Sequence, residues 1–232
     1  MSGLPPKGAN ANSFVEPADF AAAFGVSRET IERLETYATL LRKWQKTINL
    51  VAPKTLTEIW HRHFADSAQL WAYVPPHART LGDLGSGAGF RGLVLAVLAA
   101  GEAGAGRREP LHVTLIESDI RKSVFLREAA RAVGIAVDII PHRIESQQIR
   151  AMVERIDCVT SRALAPLPRL LELAYPLFGP ETVGVFPKGR DAGVEVEAAA
   201  RTFEFGLRLE PSLTEADARI VVIESLKLRE GS

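Results

Sequence analysis

Asp83-Leu84-Gly85-Ser86-Gly87-Ala88-Gly89-Phe90 is the stretch that decides how this chain is read. Thr80-Leu81-Gly82 before it reads as the start of an apolar strand, and Phe90 to Ala100 after it reads as a helix. A strand that ends near an acid, turns on glycines and enters a helix leaves bare backbone for a ligand. Glycine has no Cβ and tolerates positive φ. The helix start behind such a turn offers unpaired N–H groups. A mononucleotide-type cofactor is therefore the first expectation, and a turn kept only for packing is the plainer alternative. Nicotinamide-type sites carry G-x-G-x-x-G. Here the run is G-x-G-x-G, and Phe90 stands where the third glycine of that fingerprint belongs.

Outward from this turn, the chain alternates strands and helices from Arg79 onward. Strands are expected at Thr80–Leu84, His112–Glu117, Ala136–Pro141, Asp157–Ser161, Thr182–Pro187, around Arg208 and at Ile220–Glu224. Helices are expected at Phe90–Ala100, Arg121–Val133, Ile144–Glu154, Leu167–Phe178 and Val194–Phe203. That rhythm implies an α/β fold with a mainly parallel sheet covered on both faces. The last two strands lack an intervening helix and read as an antiparallel edge pair. Gly101–Pro110 reads as a surface loop. Upstream, Ser27 is an expected N-cap for a helix running to about Lys46, with Ile31, Leu34, Ala38, Leu41 and Ile48 as its buried stripe. A second helix is expected from about Thr57 to Trp71, ending before Pro75-Pro76. The expected organisation is a disordered tail over 1–15, a helical appendage over 16–76 and a cofactor-binding domain over 77–232.

Composition excludes several classes. The chain has 232 residues, 47% hydrophobic and 24% charged, which suits one α/β domain with an appendage. Lys+Arg 28 balance Asp+Glu 28, so net charge alone names no partner, although a local basic face is compatible with it. The single cysteine, Cys158, rules out an internal disulfide and reads as a buried filler. Met1 to Ser13 has no apolar core of a signal peptide, and no apolar run reaches membrane-spanning length. A cytosolic protein is expected. No Cys/His cluster has metal-ligand spacing, so no metal is expected.

With an acid two residues before the first glycine, the tight glycine spacing resembles motif I of class I S-adenosylmethionine methyltransferases. Ligands of such sheets lie beyond the carboxyl ends of the strands. Glu117 falls there, where a carboxylate can take both ribose hydroxyls; a solvated strand-end acid is the alternative. Ile144 and Glu145 follow the third strand, either to contact the adenine or, for Glu145, simply to suit a helix start. Arg162, in Ser161-Arg162-Ala163, is a candidate for the cofactor carboxylate or an RNA phosphate, against a plain surface arginine. Arg62 and Asp66 share a helix face, as do His63 and Ser67, and an ion pair is one reading of the first two. Lys188 ends the fifth strand, either reaching nucleic acid or solvated.

Taken together, Leu40-Leu41-Arg42-Lys43-Trp44-Gln45-Lys46-Thr47-Ile48-Asn49-Leu50, Arg62-His63-Phe64-Ala65-Asp66-Ser67, the glycine turn, Phe125-Leu126-Arg127, Ser161-Arg162-Ala163 and Lys188-Gly189 carry a more specific likeness. In this order they resemble the bacterial small-subunit rRNA guanine-N7 methyltransferases. One departure stands out: Arg91 occupies a position where that family usually carries proline. The resemblance implies a class I methyltransferase fold, S-adenosylmethionine as cofactor, and one guanine of 16S rRNA as substrate, with the intact small subunit as the better substrate. It places cofactor-binding positions on Gly85, Phe90, Ile144, Glu145 and Arg162, to which the strand-end argument adds Glu117.

Guanine N7 already carries an in-plane lone pair, so no general base is needed and none is assigned. His63, Asp66 and Arg162 are positioning candidates; Lys43, Lys46, Arg62 and Lys188 are RNA-binding candidates. Trp44 is a possible stacking surface or, more plainly, core. A monomer suffices. The competing readings are a small-molecule or protein methyltransferase, a ribosome-binding protein that keeps the fold without turnover, and, more distantly, a nicotinamide enzyme. Cytosine-C5 methylation needs a reactive cysteine, which a buried Cys158 does not supply. The Asn/Asp-Pro-Pro-aromatic loop of exocyclic-amine methylation is absent.

Overall fold

The computed structural model describes residues 14–146, 149, 156–161 and 164–229. Residues 1–13 of the tail expected over 1–15, and Arg162, therefore lie outside the described residues. Phe14 is already buried, packed against Phe24 and His61, so the chain is anchored before residue 16.

Among the described residues, seven strands form one sheet: β1 Thr80–Leu84, β2 His112–Ile116, β3 Asp138–Ile140, β4 Ile156–Ser161, β5 Phe178–Lys188, β6 Phe203–Pro211 and β7 Arg219–Leu228. Their order is β3-β2-β1-β4-β5-β7-β6. β1 pairs in parallel with β2 on one side and β4 on the other, so the order in which successive strands are laid down reverses at β1 and opens a crevice at its carboxyl end. β7 runs antiparallel to both β5 and β6. The C-terminal pair is antiparallel, as expected, but β7 is inserted between β5 and β6. Ile220, Val221, Val222 and Ile223 are all buried. A run buried on both faces belongs inside a sheet.

Among the described residues the α-helices with both ends placed are α1 Pro17–Phe24, α2 Arg28–Trp44, α3 Asp66–Ala68, α4 Phe90–Gly104, α5 Ile120–Ala132, α6 Leu167–Ala174 and α7 Ala192–Ala199. Ser27 caps α2 as expected, its side chain accepting the Thr30 amide at 3.2 Å. Leu34, Tyr37, Ala38 and Leu41 turn its apolar stripe inward. These residues join one core with Leu81 and Val113 of the sheet and Leu93 to Val97 of α4. The N-terminal helices thus cover the sheet face on which α4 and α5 lie. A second core, built on Leu84, Ile116, Val159, Leu171 and Phe186, fills the other face.

Two expectations are corrected, and a third falls largely outside the described residues. α4 continues through Gly104, so the loop expected from Gly101 begins later. Ala99-Ala100-Gly101-Glu102-Ala103 carries enough alanine to hold a helix despite its glycine. That longer helix accounts for part of the separation between the glycines and Glu117. The helix expected at Thr57–Trp71 is a composite: a π turn at Trp60–Ala65, the short α3, then a 3-10 turn at Gln69–Tyr73. Of the helix expected at Ile144–Glu154, residues 144–146 form turns, and most of the remainder lies outside the described residues.

Candidate active site

The glycine turn is a preset cradle. Gly85, Gly87 and Gly89 have φ of 67°, 58° and 85°, a region that L side chains rarely adopt. The Ser86 hydroxyl donates to the Asp83 carbonyl at 2.9 Å, and the Ser86 amide donates to the Ile116 carbonyl at 3.0 Å. The Ser161 hydroxyl ties β4 to the Leu84 carbonyl at 2.7 Å. Tyr37 of α2 donates its hydroxyl to the Ala88 carbonyl. The N-terminal helices therefore brace the turn directly. No motif marks Tyr37 in the sequence, although its spacing from Leu34 and Leu41 puts it on the same stripe.

Gly92 fixes the approach of α4 to the strands. A Cβ there would sit 2.0 Å from Leu115 Cδ2, and the Gly92 amide donates to Asp83 Oδ2 at 3.1 Å. Burial pushes the Asp83 carboxyl up to about 6, partly opposed by the Gly92 amide, Ser86 and Arg91. Burial likewise pushes the Cys158 thiol up to about 12, consistent with an unreactive core residue.

Two clefts flank the turn. The first, of about 430 Å³, brings Gly85, Gly87, Glu117, Ile144 and Glu145 together, with Leu164 on its wall. Four of these, Gly85, Glu117, Ile144 and Glu145, are expected cofactor positions; of the other two, Phe90 lines the second cleft and Arg162 is not among the described residues. Glu117 is buried at the end of β2. Its Oε2 accepts the Gly87 amide at 2.7 Å and its Oε1 the Asp119 amide at 2.8 Å. Each carboxylate oxygen keeps a lone pair for a further donor. Glu145 is half exposed and faces Arg169 at 3.5 Å.

The second cleft, of about 250 Å³, lies on the other side of the same glycines and is walled by Leu50, Val51, Thr55, His63, Asp83 and Arg91. Phe90 is shared between the turn and this wall, and His63 stacks on it with ring centroids 4.1 Å apart. The Nε2 of His63 lies 2.8 Å from the Thr55 hydroxyl. Gln45 clamps the Leu50–Val51 wall, accepting both amides at 3.0 Å and donating to the Val51 carbonyl at 2.8 Å. The clamp places the C-terminal end of α2, with exposed Arg42, Lys43 and Lys46, beside this cleft. Trp44 packs edge-on against Phe125 and serves the core.

Other expected residues fall differently. Arg62 is exposed and its near neighbour is Glu58 at 3.9 Å, not Asp66. Asp66 instead pairs with Arg91 at 2.6 Å and accepts from the Thr214 hydroxyl at 2.9 Å. The π turn changes the helical spacing that would have aligned Arg62 with Asp66. Lys188, read as a possible RNA contact, is largely buried: its ammonium lies 2.9 Å from Glu195 and donates to the Ala165 carbonyl at 2.8 Å. It is a strut beneath α6. Arg91, which follows Phe90 at the start of α4, is only 3% exposed.

Among the described residues, no helix is long and apolar enough to cross a membrane, and no group of three His, Cys, Asp or Glu could hold a metal ion. The strand order, the glycine turn and the acid at the end of β2 define a class I S-adenosylmethionine-dependent methyltransferase. Solved structures share the fold. One is a TehB-like SAM-dependent methyltransferase from Corynebacterium glutamicum, with a TM-score of 0.51 and 16% identity over 82% of this chain and 97% of that one. Another is an O-methyltransferase from Bacillus cereus in complex with SAH, with a TM-score of 0.52 and 12% identity over 85% and 91%.

The particular family follows from the sequence relatives. The family model described as rRNA small subunit methyltransferase G matches residues 30–219. Proteins named Ribosomal RNA small subunit methyltransferase G are 50% identical in Rhodospirillum centenum, over 84% of this chain and 86% of theirs. In Parvibaculum lavamentivorans the figure is 43% over 94% and 92%. The chain belongs to this family.

Proposed function

We propose that this protein transfers the methyl group of S-adenosylmethionine to N7 of one guanine in the 16S rRNA of the small ribosomal subunit. The observation that carries the proposal is the glycine turn with a cleft on each side, in a chain of this family. One cleft has the carboxylate and strand-end groups for a nucleoside; the other opens beside the cationic end of α2.

The residues fit the cofactor. A Cβ at Gly87 would meet only the Gly85 carbonyl, at 3.9 Å, so the glycine leaves open space where the ligand is expected. Gly85, Phe90, Glu117, Ile144, Glu145 and Arg162 are proposed to hold the cofactor, which supplies an electrophilic methyl group when bound. Glu117 is already oriented by two amides, so little ordering is lost when ribose hydroxyls add to it.

The chain's own part is positioning. Guanine N7 attacks with a lone pair it already has, so the site must align acceptor and methyl in line. Such alignment supplies up to about 7–11 kcal/mol of a reaction barrier. His63, locked on Phe90 and Thr55, and Asp66, locked on Arg91 and Thr214, are proposed to shape the acceptor side. Positive charge moves from sulfur to the purine, so a surround without cations on the purine opposes that change least. Residues 16–76 are proposed as the appendage that meets RNA through Lys43, Lys46 and Arg62, and 77–232 as the cofactor domain. The reading needs one chain only and places the protein with ribosomes in the cytoplasm.

Purified protein, methyl-labelled S-adenosylmethionine and small subunits lacking the modification test the proposal. Label at a single 16S guanine, mapped by N7-methylguanine-specific strand cleavage, is the expected result. Cofactor binding with unlabelled RNA would move small-molecule or protein methylation to the front.

A further inference from the structure

Arg91 is the second residue of the 15-residue helix α4 and is 3% exposed. Its Nη2 donates to Asp66 Oδ2 at 2.6 Å. Its Nε and Nη1 are buried and have no hydrogen-bond partner among the described residues. Buried donors on a charged group are costly to leave unmade, and such exceptions in a folded protein call for a partner. The guanidinium is also fixed in place, because Asp66 is itself held by Gln69 at 3.0 Å and Thr214 at 2.9 Å. Arg91 lines the smaller cleft together with Asp83, Gly85, Ser86 and Gly87. The positive end of the α4 dipole lies at the same place.

We propose that Arg91 receives the α-carboxylate of the methionine moiety of S-adenosylmethionine. The inference rests on the cofactor reading above. A fixed guanidinium with spare donors beside a helix N-terminus is a receptor for an oxyanion, either a carboxylate or a phosphate. Three observations favour the carboxylate. Gly85 and Gly87 line both clefts, so a ligand with its nucleoside against Glu117 extends its other end over the turn into this one. The Asp83 carboxyl lies in the same small cleft as Arg91, and an acid beside a cation matches an amino-acid zwitterion and disfavours a phosphodiester. Lastly, a guanidinium on the acceptor purine would oppose the positive charge that methylation creates there, so the guanine is not its ligand.

Calorimetric binding of S-adenosylhomocysteine and of its decarboxylated analogue tests this, with Arg162 intact throughout. Arg91→Pro is compatible with the first turn of a helix, and Arg91→Lys keeps a charge for Asp66. Both variants should lose about 10-fold or more in affinity for S-adenosylhomocysteine. Affinity for the decarboxylated analogue should stay within about 2-fold, the size of effect expected where no contact is lost. In the wild-type protein, the Arg91 Nε–H resonance should shift with S-adenosylhomocysteine and not with the analogue, a readout that needs no variant to fold. Equal losses on both ligands, or none on either, would overturn the proposal, as would an unmoved Nε–H resonance. If S-adenosylhomocysteine affinity holds while small-subunit binding weakens and loses salt dependence, the anion is an RNA phosphate and the proposal fails. Should the wild type bind neither nucleoside ligand, the cofactor reading itself falls, which separates the two failures.

Discussion

The Glu117 carboxylate accepts the Gly87 amide at 2.7 Å, joining the end of β2 to the glycine turn that follows β1. One acid therefore shapes the turn and lines the cleft proposed for the nucleoside. Glu117→Ala should lower S-adenosylhomocysteine affinity by about 10- to 100-fold, and Glu117→Gln by less, because the amide oxygen still accepts from Gly87. Titration calorimetry reads both. Unchanged affinity in a folded Glu117→Ala protein would remove the acid from the site.

Two glycines should respond in opposite ways. At Gly92 a Cβ meets Leu115 in the core, so Gly92→Ala should cost roughly 1–3 kcal/mol of stability. At Gly87 a Cβ enters open space at a φ of 58°, so Gly87→Ala should cost only about 1 kcal/mol in stability but most of the cofactor affinity. Denaturant unfolding and ligand titration on the same two proteins check the contrast. It fails if Gly87→Ala binds the ligand normally.

Asp83 supplies a pH signature. Its carboxyl is raised by burial from 3.8 to about 6, so the folded state holds that proton more tightly than the unfolded chain does. Ionisation of this group therefore destabilises the fold: the penalty is absent below the unfolded value, grows as pH rises through the interval, and is complete above the folded value. Asp83→Asn should gain stability relative to wild type as pH rises from about 4 to about 6, the interval between the two values. Parallel stability curves across that interval would show that Asp83 titrates normally.

Cations at the end of α2 and at the end of β5 should separate cleanly. Removing Lys43 and Lys46 together should weaken small-subunit binding and reduce its logarithmic salt slope by about 1–2, the share of two phosphate contacts. Lys188→Ala should leave that slope alone and cost roughly 3 kcal/mol of stability, since it strands Glu195 next to α6. A Lys188→Ala protein with full stability and a reduced slope would return Lys188 to the RNA surface.

Local chemistry explains which parts of this molecule are legible in the sequence. β1 is read with its correct ends because an apolar run, an acid and a glycine fall within eight residues. Ser27 is read as a cap because its hydroxyl acts three residues away. The end of α4 is misread because Gly101 and Gly104 look like turn residues, although the helix carries them. The π turn at Trp60–Ala65 leaves no mark in the apolar periodicity, so Arg62 and Asp66 look like partners. The burial of Arg91 depends on Asp66, 25 residues earlier, and the burial of Lys188 on Glu195 across a turn. Such pairings are set by the packing of distant elements, which no local pattern records. Glu117, Ile144 and Glu145 converge because strand ends converge in any sheet of this topology. The second cleft needs the Leu50–Thr55 segment laid over the turn, and only the folded chain shows that.

The central claim is best tested by nucleoside mass spectrometry. Small subunits from a strain lacking the modification would be incubated with the protein and S-adenosylmethionine, and their 16S rRNA digested completely. The account predicts 7-methylguanosine as the single new methylated nucleoside, rising to a plateau of about one per 16S chain, since each chain offers one oriented acceptor. A methyl group found on another nucleoside, or on ribosomal protein with the rRNA unchanged, would contradict it.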